Sequence, residues 1–293
     1  MIKRRVFISV PCDNHLDEGR RQVVRAVLQR ISDAGFEPQR FYYSGLPAAM
    51  GWNFQTVDKV MRRCVGAVIF ALPRRTLSDH TLLPTEWNHY EGAVAVTLGL
   101  PTLILAESGI ADTGICYTGG GKPILFKPQD ADVGWLKEET FSHPFTLWLD
   151  QLKERHDVFL GYCSKAGDTA NAINLFLTKL GVSVFDWADF SAGGNILDEI
   201  ERASSVSSAG IFLFTQDDFL EEVQGDRAAP RDNVVFEAGY FTQSKGPERV
   251  LIIRENGVKM PADVGGNIYL PLMNRKNISS IETQLRSFVE KRL

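Results

Sequence analysis

The sequence has few cysteines, and none stands where a disulfide framework or a metal site would need it. The four cysteines are scattered, without a CxxC pair and without a histidine at metal-ligand spacing. This pattern argues against a zinc site and against a disulfide-stapled extracellular fold. We expect no metal, and we expect the cysteines to be small buried or semi-buried thiols in a reducing compartment. They are Cys12, Cys64, Cys116 and Cys163.

Long apolar runs are missing as well. No stretch of about 18 apolar residues occurs, which argues against a membrane span. The basic start, MIKRRVFISVPCD, contains only a short apolar run before Asp13, so it lacks the core of a signal peptide. The sequence therefore favours a cytoplasmic protein.

Phosphate-binding motifs and strong net charge are also absent. Neither opening strand is followed by GxGxxG and no Walker lysine occurs, which disfavours a dehydrogenase or a kinase. The formal net charge of −4 does not suit a polyanion binder, and the arginines between positions 20 and 30 are spaced as the solvated face of an amphipathic helix. We therefore expect no nucleic-acid partner.

The chain does alternate short apolar strands with amphipathic helices. In the first half, strand patterns occur at 5–10, 36–42, 66–72 and 101–106, and helix patterns at 17–34, 54–63 and 85–98. Buried strands that alternate with helices are typical of a doubly wound parallel sheet. The stretch 108–134 is rich in Gly and Asp, and TGGGKP at 118–123 indicates a surface loop.

The same order of elements then starts again. RRVFISVPCD (4–13) resembles HDVFLGYCSK (156–165), and further along Asn53 aligns with Asn195 and Glu91 with Glu237. Similar landmarks in one order indicate an internal duplication. We predict two domains, 1–154 and 155–293, each long enough to bury its own core. Helices at 144–155 and 278–293 would close them, the second with Ser279 or Ser280 as cap.

The segment RDNVVFEAG predicts a helix with Asp232 as N-cap. Glu237 then lies in the second turn, and the positive end of the helix dipole should keep its carboxylate ionised. Ligands of open parallel sheets bind beyond the carboxyl ends of the strands, where this helix would begin. A carboxylate at that mouth could stabilise the positive charge that develops on a ribose as its glycosidic bond breaks. The alternative is that Glu237 is there only because the helix dipole favours it.

The second half resembles the Toll/interleukin-1-receptor (TIR) family. RDNVVFEAGYFTQSKGPERVLII is most similar to a bacterial branch described as predicted nucleotide-binding and found in antiphage signalling effectors, in which the glutamate of RDNVxFExGxF is catalytic in NAD+ glycohydrolases. The resemblance implies an α/β fold with two TIR-like, flavodoxin-like doubly wound parallel sheets in tandem. It also implies Glu237 as the catalytic residue and NAD+ as substrate, with no cofactor. The matching positions are Arg231, Asp232, Asn233, Val234, Phe236, Glu237, Gly239 and Phe241.

The resemblance implies further substrate contacts, each with a plainer alternative. The family's opening loop receives ribose and phosphate, which points to Ser164 and Lys165, although a polar turn would have the same composition. The loop after the second strand shapes the nicotinamide side; here its residues are Trp187, Phe190, Gly193 and Gly194, and Trp187 fits a core role equally well.

Three polar residues complete this implied set. Asp217 would contact ribose, although acidic residues are common on such loops for solubility. Arg231 could pair with the pyrophosphate, since a guanidinium matches phosphate geometry, and a solvated surface position is its alternative. Asn233 belongs to the matched motif.

The first half departs from this pattern. Its segment LLPTEWNHYEGA (82–93) lacks the RDN triplet, and Thr85 can cap the helix. Glu91 takes the aligned place, with Glu86 as a rival, so these two glutamates mark a possible second site. The segment resembles the same superfamily and, more faintly, the nucleoside deoxyribosyltransferases. We interpret the first domain as a degenerate copy that senses a nucleotide or builds an oligomer.

Three functions stay open from the sequence. The first is an NAD+ glycohydrolase effector that assembles into a homo-oligomer, with a nucleotide second messenger as a candidate signal, and releases nicotinamide. The second is a non-catalytic nucleotide sensor or adaptor. The third is an N-glycosidase, like the deoxyribosyltransferases, that acts on other nucleotides.

Overall fold

The computed structural model describes residues 3–41, 53–190, 195–220, 227–261 and 269–293. The described chain divides into two compact units, Lys3–Glu154 and Arg155–Leu293. We call them the N-terminal unit and the C-terminal unit. Within the described ranges, no helix combines the length and the apolar character that crossing a bilayer requires.

The N-terminal unit is built on a five-stranded parallel sheet. Its strands are β1 (Arg5–Ser9), β2 (Glu37–Arg40), β3 (Cys64–Ala71), β6 (Thr102–Glu107) and β7 (Ile124–Lys127), and a separate short antiparallel ladder joins β4 (Arg75–Thr76) to β5 (Leu82–Leu83). Its helices are α1 (Glu18–Asp33), α2 (Phe54–Met61), α3 (Glu86–Thr97) and α4 (Glu139–Lys153). The strand order β2-β1-β3-β6-β7 confirms the doubly wound, flavodoxin-like arrangement.

The C-terminal unit repeats this arrangement. Its sheet contains β8 (His156–Gly161), β9 (Val184–Asp186), β10 (Ser207–Phe214), β13 (Val250–Glu255) and β14 (Tyr269–Leu272), and a hairpin pairs β11 (Asp218–Leu220) with β12 (Arg227–Ala229). Its helices are α5 (Gly167–Lys179), α6 (Ile196–Val206), α7 (Asp232–Lys245) and α8 (Glu282–Arg292). The sheet order is β14-β13-β10-β8-β9, which is the order of the first sheet read from the other edge.

The central strands explain why both sheets are covered on two faces. β3 is buried at every position, and β10 at all but one. A strand that is apolar on both faces needs helices on both sides of its sheet. In both units separate apolar clusters fill the two faces.

Asparagine caps explain one landmark of the duplication. Asn53 Oδ1 accepts a hydrogen bond from the backbone N–H of Thr56 at 2.9 Å at the start of α2. Asn195 Oδ1 accepts one from the N–H of Leu197 at 3.0 Å at the start of α6. The two aligned asparagines are therefore both N-caps, and each accepts a hydrogen bond from a backbone N–H that the first helical turn leaves unpaired.

The structure also corrects several boundaries. β7 lies within 108–134, where the sequence indicated no strand; it is a short edge strand, half-buried, and its pattern is too brief to stand out. α4 begins at Glu139 and carries Pro144 inside the helix rather than at its start. α8 begins after Ile281 without a side-chain cap, so neither Ser279 nor Ser280 caps it. Among the cysteines, Cys12 is exposed and the other three are buried.

Candidate functional site

The central feature of the C-terminal unit is a glutamate packed against a glycine. Gly161 is the last residue of β8, and Glu237 lies on α7, the helix that follows β10 and its hairpin. A Cβ atom added at Gly161 would lie 2.7 Å from Oε2 of Glu237 and 2.6 Å from the ring of Phe212. Only glycine therefore leaves room for this carboxylate at the carboxyl end of β8.

Burial sets the charge state of Glu237. The residue is 6% exposed, and its Oε2 atom has no hydrogen-bond partner among the described residues. Burial raises the pKa of Glu237 from its ordinary value of 4.5 to about 7, because a carboxylate loses hydration inside the protein. The expectation that the helix dipole keeps this group fully ionised is therefore wrong.

The helix start shows why the dipole does not prevail. The N-cap is Arg231, without a side-chain cap, and Asp232 is the first helical residue rather than the cap. Glu237 is thus the sixth residue of α7, and the dipole effect falls off within the first turn. Its position in the second turn is as predicted, but its side chain shares the buried stripe of Val234, Ala238 and Phe241.

Aromatic rings form the apolar layer beside this carboxylate. Phe159 on β8 stacks on Phe241 at 5.0 Å between ring centroids and on Phe190 at 5.7 Å. Phe212 is tilted against Phe159 at 5.9 Å. Phe190, implied as a nicotinamide contact, therefore packs into the apolar core of the unit.

Trp187 lies in a short turn of helix after β9 and is partly buried. Its ring meets Tyr162 edge-on, with 5.8 Å between centroids. Its indole Nε1 is buried and has no hydrogen-bond partner within the described part of the chain. The structure thus gives Trp187 a packing role on one side while leaving its donor unsatisfied.

Two of the implied contacts join the loop after β8 to the loop after β10. The Lys165 ammonium donates to the backbone carbonyl of Asp217 at 2.8 Å. The Asp217 carboxylate is buried and accepts from the Thr215 hydroxyl at 2.9 Å and from the backbone N–H of Arg231 at 3.4 Å. Asp217 therefore organises the loop and the start of α7, and its predicted contact with ribose stays a prediction.

The side chain of Arg231 is exposed and points toward the same two loops. Its guanidinium lies 3.3 Å from Asp218 Oδ1, and hydrogen bonding to the Cys163 thiol, with the charge of Asp218, raises its pKa. The structure thus gathers Lys165, Asp217 and Arg231 around the carboxyl ends of β8 and β10.

The other implied contacts are less informative. Ser164 and Asn233 are both exposed, Ser164 in the turn after β8 and Asn233 in the first turn of α7. Gly193 and Gly194 lie outside the described residues. The residue that the sequence argument overlooked is Gly161, although its alignment with Ser9 in the duplication marks a side-chain difference at the end of the first strand.

The N-terminal unit places its two candidate glutamates differently. Glu91 is 6% exposed and lines a cavity of about 390 Å³. Glu86 is exposed and forms an ion pair with Arg75 at 3.3 Å. Of these two rivals, the structure brings Glu91 to a cavity. Thr85 caps α3 as predicted, in a reciprocal capping box with Asn88.

Comparison with known proteins confirms the resemblance of the second half. Residues 157–274 match the family model described as "CAP12/Pycsar effector protein, TIR domain". The C-terminal unit is therefore similar to the TIR domains of effector proteins. For the N-terminal unit, membership in the same superfamily stays a prediction.

The curated relatives agree with this match. CD-NTase-associated protein 12 from Lachnospiraceae bacterium (strain RUG226) is 30% identical over 139 residues, which cover 46% of this chain and 44% of that protein. The Pycsar effector protein BcPycTIR from Burkholderia cepacia is 34% identical over 84 residues, 28% of each chain. The match thus spans less than half the length of these relatives.

Among solved structures, the TIR domain of the Toll-related receptor TRR-2 from Hydra magnipapillata aligns with 45% of this chain and 98% of that chain. The identity is 14% and the TM-score 0.34. The fold assignment accordingly rests on the strand order of the two sheets.

Proposed function

We propose that the C-terminal unit hydrolyses the bond between nicotinamide and ribose in NAD+, with Glu237 as the catalytic carboxylate. The observation that carries the proposal is a buried carboxylate with no partner for Oε2 among the described residues, held beside Gly161 at the carboxyl end of β8. Burying such a group costs folding free energy, and perturbed carboxylates of this kind concentrate at functional sites. The similarity to effector TIR domains supports the same role.

The reaction moves a positive charge in a way that this carboxylate can assist. When the bond between ribose C1′ and nicotinamide breaks, its electron pair leaves with nicotinamide, which becomes neutral. The positive charge passes to the ribose, as in glycoside hydrolysis. Ionised Glu237 stabilises that cation more strongly in its low-dielectric surroundings than it would in water. Water then adds to C1′ and releases a proton, which completes ADP-ribose.

A pKa of about 7 suits a cationic substrate. In the free protein Glu237 is partly protonated near neutral pH. The positively charged nicotinamide ring of bound NAD+ lowers the pKa of a neighbouring carboxyl group, so substrate binding itself favours the charged form. The apolar surroundings therefore hold a carboxylate that becomes fully ionised when the charge to be stabilised arrives.

The polar groups around α7 provide the rest of the binding site in this proposal. Arg231 is exposed at the helix start, and its planar guanidinium can pair with the pyrophosphate. Lys165 and Asp217 fix the two loops that face it. Asn233 and Ser164 remain predicted contacts, and the unsatisfied indole N–H of Trp187 can donate to the substrate.

We also infer that the activity belongs to an effector of bacterial antiphage signalling, and that a homo-oligomer is the active form. The names of the similar effector proteins support the first inference, and the resemblance to the TIR family supports the second. The cytoplasmic location suggested by the sequence stays a prediction.

Nicotinamide release tests the proposal directly. The purified chain is incubated with NAD+ over a series of protein concentrations, with and without candidate cyclic nucleotides, and nicotinamide is measured by chromatography. Glu237→Gln keeps the size of the side chain and removes its charge, so we expect the rate to fall about 100- to 1000-fold. The matched control is Glu290→Gln, on the exposed side of α8, which should keep the full rate.

Two results would overturn the proposal. One is the absence of nicotinamide at every protein concentration and with every candidate activator. The other is a Glu237→Gln protein that is as active as the parent. Release of bases from other nucleotides while NAD+ stays intact would instead assign the N-glycosidase function.

A further inference from the structure

The N-terminal unit contains a cavity of about 390 Å³ at the carboxyl end of its sheet. The segment that follows β1 lines one side, Arg40 at the end of β2 lines another, and the start of α3 lines a third. In this strand order the chain leaves β1 and β3 in opposite directions, which opens a crevice where ligands of doubly wound sheets bind. The volume lies in the range of about 300–1,000 Å³ found for small-molecule pockets.

The walls of the cavity combine a buried acceptor with two arginines, of which Arg74 is exposed and Arg40 is half-buried. Glu91 is 6% exposed and reaches the cavity from the second turn of α3. Arg74, just after β3, also lines the cavity and is exposed. Among the described residues no carboxylate pairs with Arg74, whereas Arg40 is paired with Asp13 at 3.2 Å. Arg74 is thus the cation best able to accept an anionic group from outside.

An aromatic ring completes the lining. Trp87, in the first turn of α3, lines the cavity and is 49% exposed. A half-exposed indole at the rim of a pocket offers a flat apolar face, on which a purine or pyrimidine can stack. The cavity therefore presents three different surfaces: an aromatic face, a buried carboxylate and an arginine.

We propose that this cavity binds a nucleoside 5′-phosphate, with the base on Trp87, the ribose hydroxyls donating to Glu91 and the phosphate paired with Arg74. Each assignment follows from the chemistry of the wall. A carboxylate accepts hydrogen bonds from two neighbouring hydroxyls, and a guanidinium binds phosphate with two parallel hydrogen bonds. The proposal is independent of any reaction in the C-terminal unit.

In this proposal the cavity binds the nucleotide but does not cleave its glycosidic bond. Ser9 ends β1, where Gly161 ends β8, and its hydroxyl accepts a hydrogen bond from Asn88 at 2.8 Å. Asn88 in turn is fixed by the capping box with Thr85. Ser9 and Glu91 line the same cavity, so the N-terminal unit carries a hydrogen-bonded side chain where the C-terminal unit has Gly161, and we expect this difference to keep a ribose carbon away from Glu91.

Calorimetric titration of the full chain tests the assignment. The protein carries Glu237→Gln so that no nucleotide is consumed, and the probes are AMP, GMP, CMP and UMP, their nucleosides, and inorganic phosphate. At least one monophosphate should bind, and its nucleoside and free phosphate should each bind at least about tenfold more weakly, because each lacks one set of contacts.

Variants place the bound nucleotide. Arg74→Ala and Glu91→Gln should each lower the affinity for the monophosphate by about tenfold or more, which is the usual effect of removing a charged hydrogen-bond partner. Arg75→Ala is the matched control: Arg75 is the next residue, exposed and paired with Glu86, outside the cavity lining, and its loss should leave affinity unchanged. Because Arg74 is exposed, its variant keeps the fold even if Glu91→Gln does not.

Three outcomes would overturn the proposal. The first is no binding of any monophosphate at millimolar concentration. The second is binding that Arg74→Ala leaves unchanged, which would put the ligand elsewhere. The third is release of free base from the bound nucleotide, which would contradict binding without cleavage.

Discussion

The two units of this chain each bury a glutamate at the same position of the fold, and they differ in what surrounds it. Glu91 and Glu237 are both 6% exposed and lie in the second turn of the helix that precedes the fourth strand of a like-ordered sheet. Beside Glu237 the first strand ends in glycine; the corresponding strand in the N-terminal unit ends in Ser9. The comparison teaches that the shared fold positions the carboxylate, while the residue that ends the first strand differs: Gly161 leaves room for Glu237, and Ser9 carries a side chain at the same place.

The helix starts differ as well. Thr85 and Asn88 satisfy the start of α3 through a reciprocal capping box. The start of α7 has no side-chain cap. Uncapped amides at a helix start can bind anions, so the first turn of α7 keeps donors that the capping box satisfies in α3.

Exchanging the residue beside the glutamate should have the largest effect. Gly161→Ser puts a Cβ atom 2.7 Å from Glu237 Oε2 and 2.6 Å from Phe212, so the carboxylate must move. We expect nicotinamide release to fall about 100-fold, the scale of losing one well-placed charge in a transition state. The reverse change, Ser9→Gly, should leave the rate unaltered.

The control for Gly161→Ser is Gly167→Ala, at the start of α5. An added Cβ there meets nothing within 4 Å, so activity should persist. Full activity of Gly161→Ser, with folding verified by circular dichroism, would show that the glycine does not make room for catalysis.

The pH dependence of the C-terminal unit should be next in size. Burial places the folded-state pKa of Glu237 at about 7, above its ordinary 4.5, so protonation favours the folded state between these values. Stability from this group is fully present below about pH 4.5 and is lost as the pH rises through about 7. Between pH 5 and pH 8 the parent should lose about 1–3 kcal/mol of unfolding free energy relative to Glu237→Gln. Over the same interval kcat/KM for NAD+ should rise.

Urea unfolding of both proteins at several pH values measures the first effect, and initial rates of nicotinamide release measure the second. Parallel stability curves for the parent and Glu237→Gln would mean that the carboxyl group titrates normally in the folded protein. A flat profile of kcat/KM across pH 6–8 would mean that its charge is not needed.

The smallest effect should come from the paired helix caps. Asn53→Ala and Asn195→Ala each remove one side-chain acceptor from a first helical turn, and each should cost about 0.5–2 kcal/mol of stability in its own unit. Thermal melts of the two variants measure the cost. Serine at either position should restore most of it, and a variant with no loss would mean that water replaces the asparagine.

Much of the architecture follows from the sequence because it depends on the spacing of apolar residues and on the residues that begin and end each helix and strand. The buried strands, the helices between them and the cap Thr85 are properties of short segments, so they can be predicted locally. β7 could not, because a four-residue edge strand has too little pattern. Pro144 led to a helix start that is too late. Proline is common in the first turn of a helix, but α4 begins at Glu139 and Pro144 lies inside it.

In the candidate site, too, the position of a residue can be predicted from its own segment, whereas its surroundings cannot. That Glu237 lies in a second helical turn follows from its segment, but its charge depends on which face of the helix is covered. The signal was present, since Val234, Ala238 and Phe241 stand three or four residues from Glu237 and mark its side as the apolar one. The importance of Gly161 could not be read from the strand alone, because it depends on a side chain contributed by α7.

Trp187 has a practical consequence for experiments. Of the five tryptophans in the sequence, it is the only one beyond residue 155. It packs against Tyr162, and its buried indole N–H has no hydrogen-bond partner among the described residues. If the other four are replaced by phenylalanine, the fluorescence of the remaining indole reports on the C-terminal unit alone. Its emission then follows denaturation of the C-terminal unit without interference from tryptophans in the other half of the chain.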